Sequence, residues 1–204
     1  MFYTPLGVGA HLEEWKINKN RIIELDWWEE VSFEDLIFKC TPAQHFSGRG
    51  ITNRFSTLWA SWIVKSDTEN IFFSGDSGYA PHFKEIGEKY GPFDFAMLEC
   101  GQYNEQWSQI HMTPEKTVQA SIDIKAKLMM PIHWGAFRLA LHEWSDPVLR
   151  ATKKAEELQQ EIERNDSDNS EVTEKNDGVL DRLRSAPAKD LSDITVGDEE
   201  FVVL

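Results

Sequence analysis

Apolar residues in this chain come in short bursts separated by polar turns, and the bursts follow two different periods. Segments 22–25 and 35–40 alternate, the second with Leu36, Phe38 and Cys40 on one side, which is the signature of half-buried strands. Segments 57–64 (TLWASWIV) and 71–74 predict a strand pair joined by the polar turn 66–70, SDTEN. Segments 95–98 and 128–132 are shorter and continuously apolar, as buried strands are.

Helical spacing appears between these strands. Phe83, Ile86 and Tyr90 predict a helix over about 81–89, stopped by Gly91-Pro92. Thr113 followed by Pro114 marks a capped helix start, and that helix runs to about Lys125. Asp146-Pro147 opens another, over 146–163. At the N-terminus, residues 2–6 read as the end of a strand entering the turn Gly7-Val8-Gly9-Ala10, with a short helix over 11–15. Alternating strands and helices of this length predict an α/β (α+β) layered fold rather than an all-β one.

Composition changes near residue 164. Residues 164–190 are rich in Asp, Ser, Asn, Glu and Lys and read as a disordered acidic insertion, whereas 191–204 regain a strand–turn–strand pattern that returns to the sheet. The net charge of −14 is uneven: residues 1–151 hold 20 acids and 14 bases, residues 152–204 hold 15 and 7. The excess acidity is therefore a property of the solvated tail, and it argues against nucleic acid as a partner. No stretch is long and apolar enough for a membrane span, and the N-terminus lacks an export signal. Two unpatterned cysteines, Cys40 and Cys100, fit reduced buried thiols, so the expected location is the cytoplasm, with peripheral membrane contact as an alternative. Eight tryptophans, against roughly two or three for an average chain of this size, predict packing or pocket walls; Trp59, Trp62, Trp107 and Trp134 are the candidates for an apolar entrance.

Three residues carry the candidate chemistry. His45, Asp76 and His133 each follow an apolar strand and are flanked by small or turn-forming residues. Singly, each has an ordinary structural reading, as a hydrogen-bonded histidine or a turn aspartate. Together they offer imidazole and carboxylate, the ligand mixture that suits zinc at a hydrolytic site. His11, His82 and His142 lack such a setting.

The motifs PAQHFSGRG, FFSGDSGY, GPFDFAMLECGQY, IHMTPEKTVQA and PIHWGAFRLALHEW together resemble the C-terminal half of the metallo-β-lactamase-fold hydrolases. Within that superfamily the resemblance is to N-acyl phosphatidylethanolamine phospholipase D and its bacterial relatives, and more distantly to L-ascorbate-6-phosphate lactonases. It covers residues 1–163 and the last dozen. The resemblance implies half of an αββα sandwich and a site for two zinc ions, with His45 on the first metal, Asp76 bridging both and His133 on the second. It implies hydrolysis of a phosphodiester or a small ester or lactone, with a phospholipid or small molecule as substrate. Asp76 and His111 are the catalytic candidates, His111 being either a substrate contact or a packing residue at a helix entry. Tyr79 either orients substrate or packs, and Arg49 either meets a phosphate or forms a surface ion pair.

The family's His-x-His-x-Asp-His motif, which supplies the remaining metal ligands, does not occur in the sequence. A truncated product, a split enzyme whose N-terminal half is a separate chain, and a non-catalytic interaction module or homo-oligomer are the three resulting readings. Truncation is the expectation, because the chain opens in mid-fold.

Overall fold

A computed structural model describes residues 1–48, 50, 52–137 and 139–168. Strand β1 (Phe2–Pro5) leads through α1 (Val8–Glu14) to β2 (Ile22–Leu25), which pairs with it in parallel. The helix starts earlier than the sequence pattern suggests because Gly7, at φ 86°, makes the entry turn and leaves Val8 free to begin the helix. It packs on both strands.

A six-stranded mixed sheet follows. It comprises β3 (Glu30–Phe33), β4 (Leu36–Pro42), β5 (Ala60–Lys65), β6 (Asn70–Phe73), β7 (Phe95–Glu99) and β8 (Met129–Ile132), in that spatial order. The first three neighbour pairs are antiparallel and the last two parallel. The turn predicted at 66–70 is present, closed by Ser66 N–H donating to the Glu69 carbonyl. Parallel strands need crossovers, and α2 (His82–Tyr90) and α3 (Pro114–Asp123) provide them. Thr113 caps α3, its hydroxyl accepting from Lys116 N–H. The last described element, α4 (Asp146–Asp168), continues beyond the expected end near 163, since no glycine or proline interrupts it there. Residues 169–190 of the expected acidic insertion, and the expected terminal strands of 191–204, lie outside the described residues.

The two faces of the sheet are covered unequally. On one, Ile63, Phe72, Ala96 and Leu98 meet Phe83 and Ile86 of α2 and Ala120 and Ile124 of α3, with Phe93 and Met112 filling the gaps. Burying each of these large side chains contributes about 1.5–3 kcal/mol, so this is the principal core. Helix α4 extends the layer through Ala151, Ala155 and Leu158, against Val118, Cys100 and Met129. On the opposite face an apolar row runs across the register, Cys40–Trp62–Phe73–Met97–Met130. Strands β1 and β2 cover its beginning. Leu25 and Ile23 pack with Cys40 and Ala60, and the Tyr3 ring stacks on Phe38 at 5.2 Å. Towards β8 the cover thins, and Met130 is 43% exposed. A helical layer, the six-stranded mixed sheet and the two-stranded parallel sheet β1–β2 are the layers of this α/β fold.

Candidate metal centre

Strands β4, β6, β7 and β8 all point the same way, so their C-terminal ends share one sheet edge. His45 follows β4, Asp76 follows β6, Glu99 ends β7 and His133 follows β8. Ligand sites gather at such edges because loops leaving adjacent parallel strands converge there. Strand β5 runs the other way, and the residue before it, Trp59, arrives at the same edge.

A small set of backbone contacts fixes the converging loops. Residue 44 is bridged to residue 78: Gly78 N–H donates to the Gln44 carbonyl at 2.9 Å, and Gln44 N–H donates to Ser77 Oγ at 3.0 Å. The Gln44 side chain donates to the Gln109 carbonyl at 2.7 Å. A Cβ on Gly78 would fall 1.9 Å from that carbonyl oxygen, so only glycine lets the turn leading to His111 lie against the Asp76 loop. Gly101 does the same for His133: a Cβ there would fall 1.5 Å from the His133 carbonyl oxygen. His133 itself sits at φ 66°, a conformation that non-glycine residues seldom adopt and that the neighbouring packing must hold.

The side chains differ in how they are satisfied. His45 Nδ1 lies 2.8 Å from the Phe46 carbonyl oxygen, which assigns the proton to Nδ1 and leaves a lone pair on Nε2. Its ring is sandwiched at 4.5 Å from Trp59 and 4.8 Å from Phe46. Burial pushes the His45 imidazole below its ordinary pKa, with the Phe46 carbonyl and Asp76 opposing, so the neutral, metal-ligating form is favoured. Its Nε2 atom is buried and has no hydrogen-bond partner among the described residues. Asp76 is anchored by its backbone carbonyl, which accepts from Trp59 Nε1 at 2.8 Å. Its carboxylate Oδ1 lies 3.7 Å from His133 Nε2, close but beyond hydrogen-bonding distance.

His111 lies between the other two imidazoles, its ring centroid 5.1 Å from His45 and 5.4 Å from His133. Its Nδ1 meets Glu99 Oε1 at 3.1 Å. Glu99 is wholly buried and also accepts from Met112 N–H at 2.9 Å and from Gln102 N–H at 3.4 Å. One donor atom each from Glu99, His111 and His133 falls within 4.8 Å of the others. Because its oxygens already receive three protein donors, we read Glu99 as a holder of His111 and of the loop rather than as a free ligand.

The structure therefore brings His45, Asp76, His111 and His133 to one place. It turns Tyr79 onto the helical layer: the hydroxyl donates to Asp123 at 2.6 Å and the ring stacks on Phe83. Arg49 lies outside the described residues. Of the four tryptophans, Trp59 backs His45, Trp62 belongs to the sheet face, and Trp107 Nε1 donates to the Gln102 carbonyl. Trp134 stacks at 6.1 Å on Trp144 beside a cavity of about 190 Å³ lined also by Gln102, Phe137 and His142. Glu99 is the site residue that sequence reasoning missed. Its signal was a single acid ending an otherwise apolar strand, FAMLE.

Several known proteins are similar to this chain. The sequence profile of a beta-lactamase superfamily domain matches residues 1–134. An uncharacterised Mycobacterium tuberculosis protein is 46% identical over 158 residues, covering 76% of this chain and 42% of its own length. The N-acyl-phosphatidylethanolamine-hydrolyzing phospholipase D 1 of Caenorhabditis elegans is 32% identical over 157 residues, 70% of this chain and 43% of that protein. The chain thus spans less than half the length of these relatives. Igni18, a metallo hydrolase from the archaeon Ignicoccus hospitalis, has a similar fold, with a TM-score of 0.58 over 76% of this chain and 61% of that one at 18% identity. No helix among the described residues is long and apolar enough to cross a membrane. From the profile match and the site at the strand ends, the chain belongs to the beta-lactamase superfamily, in the metallo-β-lactamase-fold branch similar to N-acyl-phosphatidylethanolamine phospholipases D.

Proposed function

We propose that this chain carries part of the active site of a zinc-dependent hydrolase acting on phosphodiesters of the N-acyl phosphatidylethanolamine type. The observation that carries the reading is the buried Nε2 atom of His45, unpartnered among the described residues, beside a carboxylate and a second imidazole that approach without bonding. Leaving such a nitrogen unsatisfied costs about 1–3 kcal/mol, a cost that a ligand to that atom removes. His45, Asp76 and His133 offer the nitrogen and oxygen donors that a divalent ion prefers. They are fewer than two such ions need, and the remaining donors are expected from the part of the relatives' length that this chain does not span. A bound ion would supply Lewis acidity at the scissile bond and an activated water at neutral pH. The residues present orient the site: Trp59 fixes both His45 and the Asp76 loop, and His111 packs against both other imidazoles. A lactone or other small ester suits the same donors and is the alternative substrate.

A second reading has its own support. The apolar row over Phe73, Met97 and Met130 is incompletely covered, which suits a subunit that packs against a separate chain or a second copy of itself. Metal analysis of the purified protein, with a phosphodiesterase assay on N-acyl phosphatidylethanolamine, separates the two. With the remaining donors supplied from the rest of the relatives' length, about two zinc ions per completed site with turnover is the expected result for the enzyme. Protein that stays metal-free and inert once those donors are supplied, while remaining folded, would favour the interaction module.

A further inference from the structure

Glu99 places a carboxyl group in the interior of the chain. It ends β7 with no exposed surface, and its two oxygens are distributed between two tasks. Oε2 accepts the Met112 amide, which fixes the segment entering α3. Oε1 accepts the more distant Gln102 amide and meets His111 Nδ1 at 3.1 Å. A glutamine would keep an acceptor for only one of these amides and turn its NH2 towards the other, whereas a carboxylate can accept both and still meet the imidazole. A buried carboxylate on an imidazole has a further property: it holds one ring nitrogen as the donor, so the other is presented with its lone pair outward.

We propose that Glu99 is a positioning residue that fixes His111 with its proton on Nδ1, making Nε2 the proton carrier of the hydrolytic step. This rests on the reading of the site as a hydrolase. In hydrolysis the oxygen of one water joins the phosphorus or acyl carbon while the bond to the leaving oxygen breaks. His111 Nε2 takes one proton from that water as the new bond forms and gives it to the leaving oxygen as the old bond breaks. The imidazole ends neutral, with Nδ1–H still on Glu99, so protons and charge balance within one turnover. In between, the imidazolium is stabilised by the carboxylate 3.1 Å away. The three histidines then divide the work: His45 and His133 present nitrogens to a metal, and His111, engaged on the Glu99 side, handles protons.

The wild-type chain tests the geometry without any activity. Nitrogen-15 NMR of the histidine side chains is expected to show His111 as the Nδ1–H tautomer at neutral pH, and Glu99→Gln is expected to release it into a tautomer mixture. An Nε2–H tautomer in the wild type overturns the proposal, whatever the protein's activity. In the metal-loaded enzyme, Glu99→Gln is expected to lower kcat about 10–100-fold with KM and metal content little changed. His111→Ala is expected to lower it further, and the double variant to be no worse than His111→Ala. Additive losses, or a Glu99→Gln effect confined to metal content or melting temperature, would show that Glu99 is only structural. Absence of turnover in the metal-loaded wild type would sink the hydrolase reading instead, leaving the tautomer result to stand alone.

Discussion

Two polar clusters adjoin the start of α3, and they differ in what their groups are bonded to. The first is the strand-end group of His45, Asp76, His111 and His133 with Glu99 behind it. The second joins Tyr103, Glu115, Asp146 and Arg150. In the second, the guanidinium of Arg150 makes a two-point contact with Glu115, at 2.9 and 2.7 Å, and reaches Asp146 at 3.5 Å. The Tyr103 hydroxyl donates to Asp146, and Arg150 lies 4.9 Å over the Tyr103 ring. Each charge there has an opposite charge or an aromatic face within the chain, and the result is a clasp between α3 and α4. His142, stacked on Tyr103 with a buried Nε2 atom that has no partner among the described residues, is a loose end beside it. In the first cluster, among the described residues, the Glu99–His111 pair is closed, while His45 Nε2 has no partner and Asp76 and His133 stop short of bonding. Internal satisfaction marks structure; convergent groups left unsatisfied mark a site whose partner comes from outside.

The largest way to break this contrast is to remove an open group. Asp76→Ala is expected to reduce turnover of the metal-loaded enzyme by about 10³-fold, several kcal/mol of transition-state stabilisation. Its bound metal should fall in parallel. The melting temperature of the metal-free protein should barely move, because the carboxylate is one-third exposed and its 3.7 Å contact with His133 is screened by solvent. A large loss of stability with metal content intact would move Asp76 into the structural class.

The clasp should respond in the opposite way. Arg150→Ala is expected to cost about 1 kcal/mol of stability, since both partners are more than a third exposed and solvent screens them. Turnover and metal content should be unchanged. The effect also has a pH signature. Burial works to raise the Glu115 pKa, but the Arg150 guanidinium outweighs it and holds the carboxyl below its ordinary value. A depressed folded pKa contributes stability above the unfolded value, about 4.3, and loses it as pH falls through the lower folded value. Denaturant titrations of the two proteins should therefore converge below about pH 4, and a gap that stays constant there would contradict the pairing.

Much of this was legible in the sequence, and the illegible parts share a cause. Strands β5 to β8 and helices α2 to α4 announce themselves because their periodicity, caps and breakers are local. Strand β3, EVSF, escapes because half of it is polar and it depends on pairing with β4 across the two-residue turn at Glu34-Asp35. His45, Asp76 and His133 stand out because each follows an apolar strand. Glu99 does not, because what identifies it is a partner 12 residues away, His111, and its own complete burial. The same is true of Gly101, whose need for no side chain comes from the His133 carbonyl, 32 positions later in the chain. Sequence shows what a residue offers; the fold decides what it meets.

Tyr79 sits beside the site in sequence yet on the clasp's side of the contrast, and it gives the smallest and sharpest test. It follows Asp76 closely, so proximity along the chain favours a substrate contact, but its hydroxyl is committed to Asp123 at 2.6 Å. Removing that hydroxyl as Tyr79→Phe keeps the ring on Phe83 and under Lys116, and Asp123 retains Gln119 as a donor at 2.9 Å. The expected cost is about 1 kcal/mol or less, with kcat and KM unchanged. The hydrogen bond to Asp123, with burial second, raises the Tyr79 pKa to about 12. A raised folded pKa contributes stability in full below the ordinary value of about 10 and loses it as pH climbs through the folded one. The stability gap between wild type and Tyr79→Phe should therefore close between about pH 10 and 12. If Tyr79→Phe instead raised KM while leaving stability untouched, the hydroxyl would belong to the substrate, and the line between the two clusters would have to be drawn one helix further from the strand ends.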